Sequence, residues 1–139
     1  MTLRSSKTIN LFDIYQILLP SGLNYHQDGI IGKRVLFITD SDSSFVVSFE
    51  ENMECMDLSA EKMGSEPTVC VQYRSGNKYI HQRRFNKHST SFAFFHIELK
   101  NEDGETMYLP GQIVTNQNYQ WTEGVEPILL KLLDGISIL

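Results

Sequence analysis

At 139 residues the chain has the length of one domain, and its 41% apolar and 21% charged residues suit an ordinary buried core, which excludes intrinsic disorder. The net charge of −5 excludes whole-surface attraction to nucleic acid or anionic membranes, though not a local basic patch. Two cysteines, Cys55 and Cys70, are too few for a disulfide framework and read as free thiols, a bridge between them being open only to an oxidising compartment.

Met1 to Lys7 leads into no apolar stretch of signal-peptide length, and the run from Leu11 to Leu19 carries Asp13 and Gln16. That run is too short and too polar to span a bilayer. The sequence has no Asn-x-Ser/Thr sequon, and a cytoplasmic protein without a membrane span is expected. Phe12 to Leu19 reads as the first strand, stopped by Pro20-Ser21-Gly22. Asn24 to Gly29 reads as polar loop. Arg34 to Thr39 and Ser44 to Glu50 form a hairpin around Asp40-Ser41-Asp42-Ser43, whose short polar side chains can bond their own backbone.

Asn52 to Met63 is predicted helical, because Met53, Met56, Ala60 and Met63 recur at spacings of three and four. Gly64 and Pro67 would end it. Thr68 to Arg74 and Lys78 to Arg84 alternate about the turn Ser75-Gly76-Asn77 and read as a second hairpin. Ser91 to Lys100 is a sixth strand. Ala93, Phe95, Ile97 and Leu99 share one face, and Phe92, Phe94 and His96 the other, so it is expected to be central and covered on both sides. Glu105 to Leu109 is a seventh strand ended by Pro110-Gly111, and Ile113 to Tyr119 reads as loop with room for a short edge strand. Val125 to Asp134 places Val125, Ile128, Leu129, Leu132 and Leu133 at helical spacing before the stop at Gly135 and an apolar tail, Ile136 to Leu139.

The expected class is therefore α+β in a single domain, residues 1–139. An antiparallel sheet of about six to seven strands is flanked by a methionine-bearing helix (52–63) and a C-terminal amphipathic helix (125–134). A strand running into Leu19-Pro20-Ser21-Gly22-Leu23-Asn24-Tyr25, two hairpin strands, a helix, more antiparallel strands and the closing run Glu126 to Ile138 resemble the PsbP/DcrB-like α/β sandwich superfamily. The resemblance is one of pattern and covers about Phe12 to Ile138. It implies a protein that binds other proteins rather than one particular reaction, and no residue carries over from it.

The sharpest local feature is basic. Arg74, Lys78, His81, Arg83, Arg84, Lys87 and His88 lie within a stretch that contains no acid. With Tyr79 and Phe85 interleaved it could hold phosphate or a nucleic-acid backbone. It reads more simply as a charged edge hairpin that resists aggregation, or as a complement to the acidic stretch from Glu50 to Glu66. The four histidines make no metal-binding pattern. His96 among aromatics reads as a packed residue, and His81 and His88 could meet across a bend. Cys55, beside Met53 and Met56, lacks an activated-cysteine setting. Gly29-Ile30-Ile31-Gly32-Lys33 is too short for a phosphate loop, lacks a following Ser or Thr, and precedes a strand.

Asn116, Asn118, Tyr119, Gln120 and Trp121 form a polar-aromatic loop of the kind found at recognition edges. The leading expectation is a non-enzymatic protein-binding or chaperone-like module, with Tyr79, His81, Arg83, Arg84, Asn118, Tyr119 and Trp121 as candidate binding residues. The partner is expected to be another protein, with nucleic acid disfavoured. No catalytic residue, cofactor or metal is expected. The alternatives are a small-molecule or lipid-binding domain, its cavity lined by the sixth strand and the methionine helix, and an anion- or nucleic-acid-binding hairpin at 74–88.

Overall fold

Alternation of side chains along the strands decides the architecture. The computed structural model describes residues 7–54, 62–63, 66–87, 90–115 and 126–139. In order these form β1 (Lys7–Leu11), β2 (Tyr15–Leu19), β3 (Leu23–Asp28), β4 (Val35–Asp40), β5 (Phe45–Glu50), β6 (Lys62–Met63), β7 (Glu66–Ser75), β8 (Lys78–Lys87), β9 (Thr90–Lys100), β10 (Thr106–Thr115), α1 (Glu126–Gly135) and β11 (Ile136–Ile138). The large sheet has the order β3-β4-β5-β10-β9-β8-β7, with the two-residue β6 laddered onto β7 at its edge. The small sheet has the order β1-β2-β11, and every pairing is antiparallel.

One buried cluster joins the two sheets. Leu36, Ile38, Phe45, Val47, Phe49, Ile80, Phe95, Ile97 and Ile113 come from the large sheet. Ile9, Leu11, Tyr15, Ile17 and Leu19 come from the small one, and Leu129, Leu132 and Leu133 from α1. The small sheet and α1 thus form the second layer over one face of the large sheet. Lys78 fastens this layer, its ammonium donating to the carbonyls of Asp134 (3.0 Å) and Ile136 (3.1 Å) beside a Ser75–Asp134 hydrogen bond.

The architecture is mostly β, which corrects the expected α+β class with two helices. The predicted 52–63 helix is overturned. Asn52 sits in a turn with φ of 64°, and Lys62–Met63 is extended, while residues 55–61 lie outside the described residues. Long-range bonds from Glu51 and Asn52 to the β3–β4 loop fix the start of that segment and outweigh the helical spacing of its methionines. The C-terminal helix forms at Glu126–Gly135, and the expected apolar tail is strand β11, paired with β2.

Other differences have equally local causes. The single strand expected over 12–19 is a hairpin, because Phe12 and Asp13 take positive φ (58° and 61°) and Ile14 N–H bonds the Leu11 carbonyl at 3.1 Å. Two consecutive positive φ values make the hairpin turn usually signalled by Asn-Gly. Here the Asn10 side chain accepts the Asp13 N–H instead, at 2.8 Å. The loop expected at 24–29 is the edge strand β3, exposed along both faces and therefore without apolar alternation. The outer side of β9 is half-buried rather than covered, whereas Ala93, Phe95, Ile97 and Leu99 are buried.

β10 also runs straight through Pro110-Gly111. The Asn101 N–H to Glu105 carbonyl bond (3.0 Å) sets the ladder phase, so Leu109, Gly111 and Ile113 point their backbone groups at β9. Pro110 faces the other side, where pairing with β5 reaches only to Gln112, and its missing N–H breaks no bond to β9. Gly111 provides room: a Cβ there would stand 2.6 Å from the Phe95 ring, which packs edge-on against Phe49 at 5.7 Å.

Candidate functional site

Loops of both sheets converge at one end of the molecule, and the β3–β4 connection, residues 29–34, carries the two most exposed large apolar side chains among the described residues. Its shape is fixed by two glycines. Gly29 (φ 93°) lies so close to the Lys33 carbonyl that a Cβ would stand 2.4 Å from it. Gly32 (φ 94°) takes the third position of a turn closed by Lys33 N–H to the Ile30 carbonyl, 2.8 Å, where a type II turn requires positive φ.

A carboxylate then locks the loop. Glu51 Oε1 accepts from Gly32 N–H (2.7 Å), Arg34 N–H (3.2 Å) and Arg34 Nε (3.0 Å), and Oε2 accepts from Arg34 Nη2 (2.9 Å). Asn52 Nδ2 donates to the Gly32 carbonyl at 2.9 Å. Arg34 also reaches Asp13 at 3.2 Å and lies over the Phe12 ring, 5.8 Å from its centroid, so the β1–β2 turn joins the assembly. The Arg34 guanidinium holds the Glu51 carboxyl down to about 2, against the penalty of burial, and Arg34 itself is raised. The phosphate-loop likeness now has a physical meaning, since these N–H groups do cradle an anion and that anion is Glu51.

What the locked loop presents is apolar. Ile30 is 75% and Ile31 83% exposed. Ile14, in the turn tied through Asp13, and Leu139, whose N–H bonds the Ile14 carbonyl at 2.8 Å, are also exposed large apolar residues at this end. Beside Leu139 a groove of about 480 Å3 runs between β11 and the β9–β10 turn, lined by Lys100, Glu102, Asp103, Met107 and Ile138 among others. Sequence reasoning weighed 29–33 only as a phosphate loop. The available signal was two isoleucines between turn glycines, where no strand or helix could bury them.

The residues singled out from sequence fall elsewhere. Tyr79, His81 and Arg83 lie on the outer face of β8, the face turned away from the small sheet, and the Arg84 backbone is in register with Val69 and Ala93. The side chains of Arg84, Cys70 and Phe85 lie outside the described residues, as do Asn118, Tyr119, Trp121, Cys55 and His88. Arg83 is only 4% exposed, and Lys78 is engaged with the end of α1, so two of the seven basic residues are drawn into the fold.

The outer face brings His81 to His96, and the expected meeting of His81 with His88 lies outside the described residues. Their rings are 5.0 Å apart, His81 Nε2 lies 3.2 Å from Glu98 Oε1, Tyr79 stacks on His81 at 6.0 Å, and Tyr108 meets His96 edge-on at 5.4 Å. Among the described residues His96 Nδ1 is buried without a hydrogen-bond partner. Among the described residues no group of three His, Cys, Asp or Glu is placed to hold a metal ion, and no helix is long and apolar enough to cross a membrane.

Burial lowers the His96 pKa, His81 lowers it further, and Glu98 opposes both. In the unfolded chain the imidazole titrates near 6.5. As pH falls through that value the unfolded state takes up a proton that the folded state resists, so stability falls with acidification. Urea denaturation between about pH 7 and 5 is expected to show this slope, and His96→Gln to flatten it.

No protein-family model matches the chain, and no curated protein matches it in sequence.

Proposed function

We propose that the protein is a non-enzymatic binding module that inserts Ile30 and Ile31 into an apolar pocket of a partner protein. The observation that carries this reading is the pair of highly exposed isoleucines on a loop whose backbone is fixed by Glu51, Arg34 and Asn52. Holding apolar side chains rigidly in water gains the fold nothing, but it lowers the ordering cost of association. Binding residues on loops set by a rigid sheet are a common arrangement. The shared theme of the PsbP/DcrB-like resemblance points the same way.

A lipid surface is the weaker occupant. Two isoleucines bury less than one acyl chain, which is itself a marginal anchor, and the net charge of −5 opposes an anionic leaflet. In a protein pocket each isoleucine is worth about 1.5–3 kcal/mol.

A photo-reactive residue at position 31 is expected to yield a discrete protein adduct in the source cell. The same residue at exposed Asp103 should not. Binding of the purified adduct protein is expected to weaken about a hundredfold or more in Ile30→Asp/Ile31→Asp, with thermal unfolding unchanged because both sites are exposed. Undiminished binding by that variant, or identical adducts from both positions, would refute the reading.

A further inference from the structure

The edge strand β3 is six residues long and contains no proline or lysine, two of the usual devices that keep an open edge from pairing. The opposite edge of the large sheet is the two-residue β6. Hydrogen-bond phase shows which groups of β3 face outward. Glu51 N–H donates to the Arg34 carbonyl at 2.8 Å, extending the β4–β5 ladder. Leu36 and Ile38 therefore point their backbone groups at β5, and Val35, Phe37 and Thr39 point theirs at β3. These last three pair with Asp28, His26 and Asn24. The N–H and C=O of Tyr25 and Gln27 and the C=O of Leu23 consequently point away from the sheet, where no strand pairs with them among the described residues, while the Leu23 N–H bonds the Pro20 carbonyl at 3.4 Å. Asn24 to Asp28 are all exposed, and β1 meets the strand only through side chains, Gln27 Nε2 donating to the Asn10 carbonyl at 3.5 Å and Lys7 lying over Tyr25.

We propose that a second copy of this chain pairs antiparallel with the β3 edge about a twofold axis at Tyr25, joining two large sheets into one. In that register Tyr25 faces its own counterpart and Leu23 faces Gln27 of the partner subunit. Both backbone groups of Tyr25, the Gln27 N–H and the Leu23 C=O then have partners across the axis. Asn24 falls opposite His26 of the partner subunit, and the two Asp28 carboxylates lie apart at the ends of the ladder. One like-charge approach remains: Lys7 sits over the Tyr25 ring, 5.7 Å from its centroid, and nears its copy at the axis. Both ammonium groups are exposed and screened at physiological salt. A twofold pairing closes on itself, so it ends at a dimer.

Sedimentation equilibrium of the full chain over a wide concentration range tests this, together with amide exchange. Twice the monomer mass is expected, with the Tyr25 and Gln27 amides protected as well as those of Asn24 and His26. Tyr25→Pro removes an outward-facing N–H and the ring under Lys7 but no ladder bond to β4, and Tyr25→Lys adds like charges at the axis. Each is expected to give a folded monomer that unfolds at nearly the temperature of the wild type diluted to its dissociated form, and the lysine variant serves should proline disturb the strand. A wild-type monomer at every concentration would overturn the proposal. So would a dimer that survives both variants, or a dimer in which the Tyr25 and Gln27 amides exchange freely.

Discussion

Phe95→Ala is expected to lower the free energy of unfolding by about 3–5 kcal/mol, a large part of the total for a domain of this size. The ring is buried at the middle of β9, packs edge-on against Phe49, and fills the space that Gly111 leaves on the neighbouring strand. Its removal opens a cavity between β5, β9 and β10, where the two halves of the large sheet are joined. Gly111→Ala should cost about 1–3 kcal/mol by crowding the same ring. Because both changes act on one contact, the double variant should be less destabilised than the sum of the singles. Chemical denaturation of the three variants measures all of these terms. Additive effects would show that the ring and the glycine do not meet in solution.

Glu51→Ala is expected to abolish protection of the Gly32 and Arg34 amides from hydrogen exchange while leaving the strand amides of β4 and β5 protected. One carboxylate accepts two backbone N–H groups and the Arg34 guanidinium, so no neighbouring residue can replace it. Its pKa, held at about 2 in the fold against 4.5 for the free group, gives the same result without mutation. The clamp's contribution is complete above pH 4.5 and is lost as pH falls toward 2. Loop protection should therefore fade across that window in the wild type. Should the binding reading hold, Glu51→Ala would also weaken partner binding with Ile30 and Ile31 intact, because the loop must then be ordered on association. Unaltered amide protection in Glu51→Ala would show that the glycines alone shape the loop.

The central strands were legible because their buried and exposed residues alternate, as at Phe45, Val47 and Phe49 and at Ala93, Phe95, Ile97 and Leu99. The amphipathic helix was legible for the same reason at its own period. The β1–β2 hairpin was not, since its turn rests on Phe12 and Asp13 in a conformation that side chains rarely adopt. That conformation is sustained by Asn10 and by Arg34, which is distant in sequence. β3 was missed because an edge strand exposed on both faces carries no hydrophobic period. The helix expected at 52–63 rested on a four-residue pattern of methionine and alanine, too few positions to outweigh tertiary bonds. The candidate site was missed for a related reason. Its glycine spacing does not fit a phosphate loop, and only the fold brings Glu51 to those N–H groups.

The pairing of β11 with β2, and of β10 with β5, bears on how the chain acquires its structure. Ile17 finds Ile136 only across nearly the whole sequence, and Val47 waits for Ile113. The local hairpins can close early, but the small sheet is completed only when β11, which follows every other described element, reaches β2. Such distant contacts place the protein among slow folders. Until they form, the apolar side of β2 stays open to water and to other nascent chains, which is the interval in which a chaperone would matter most.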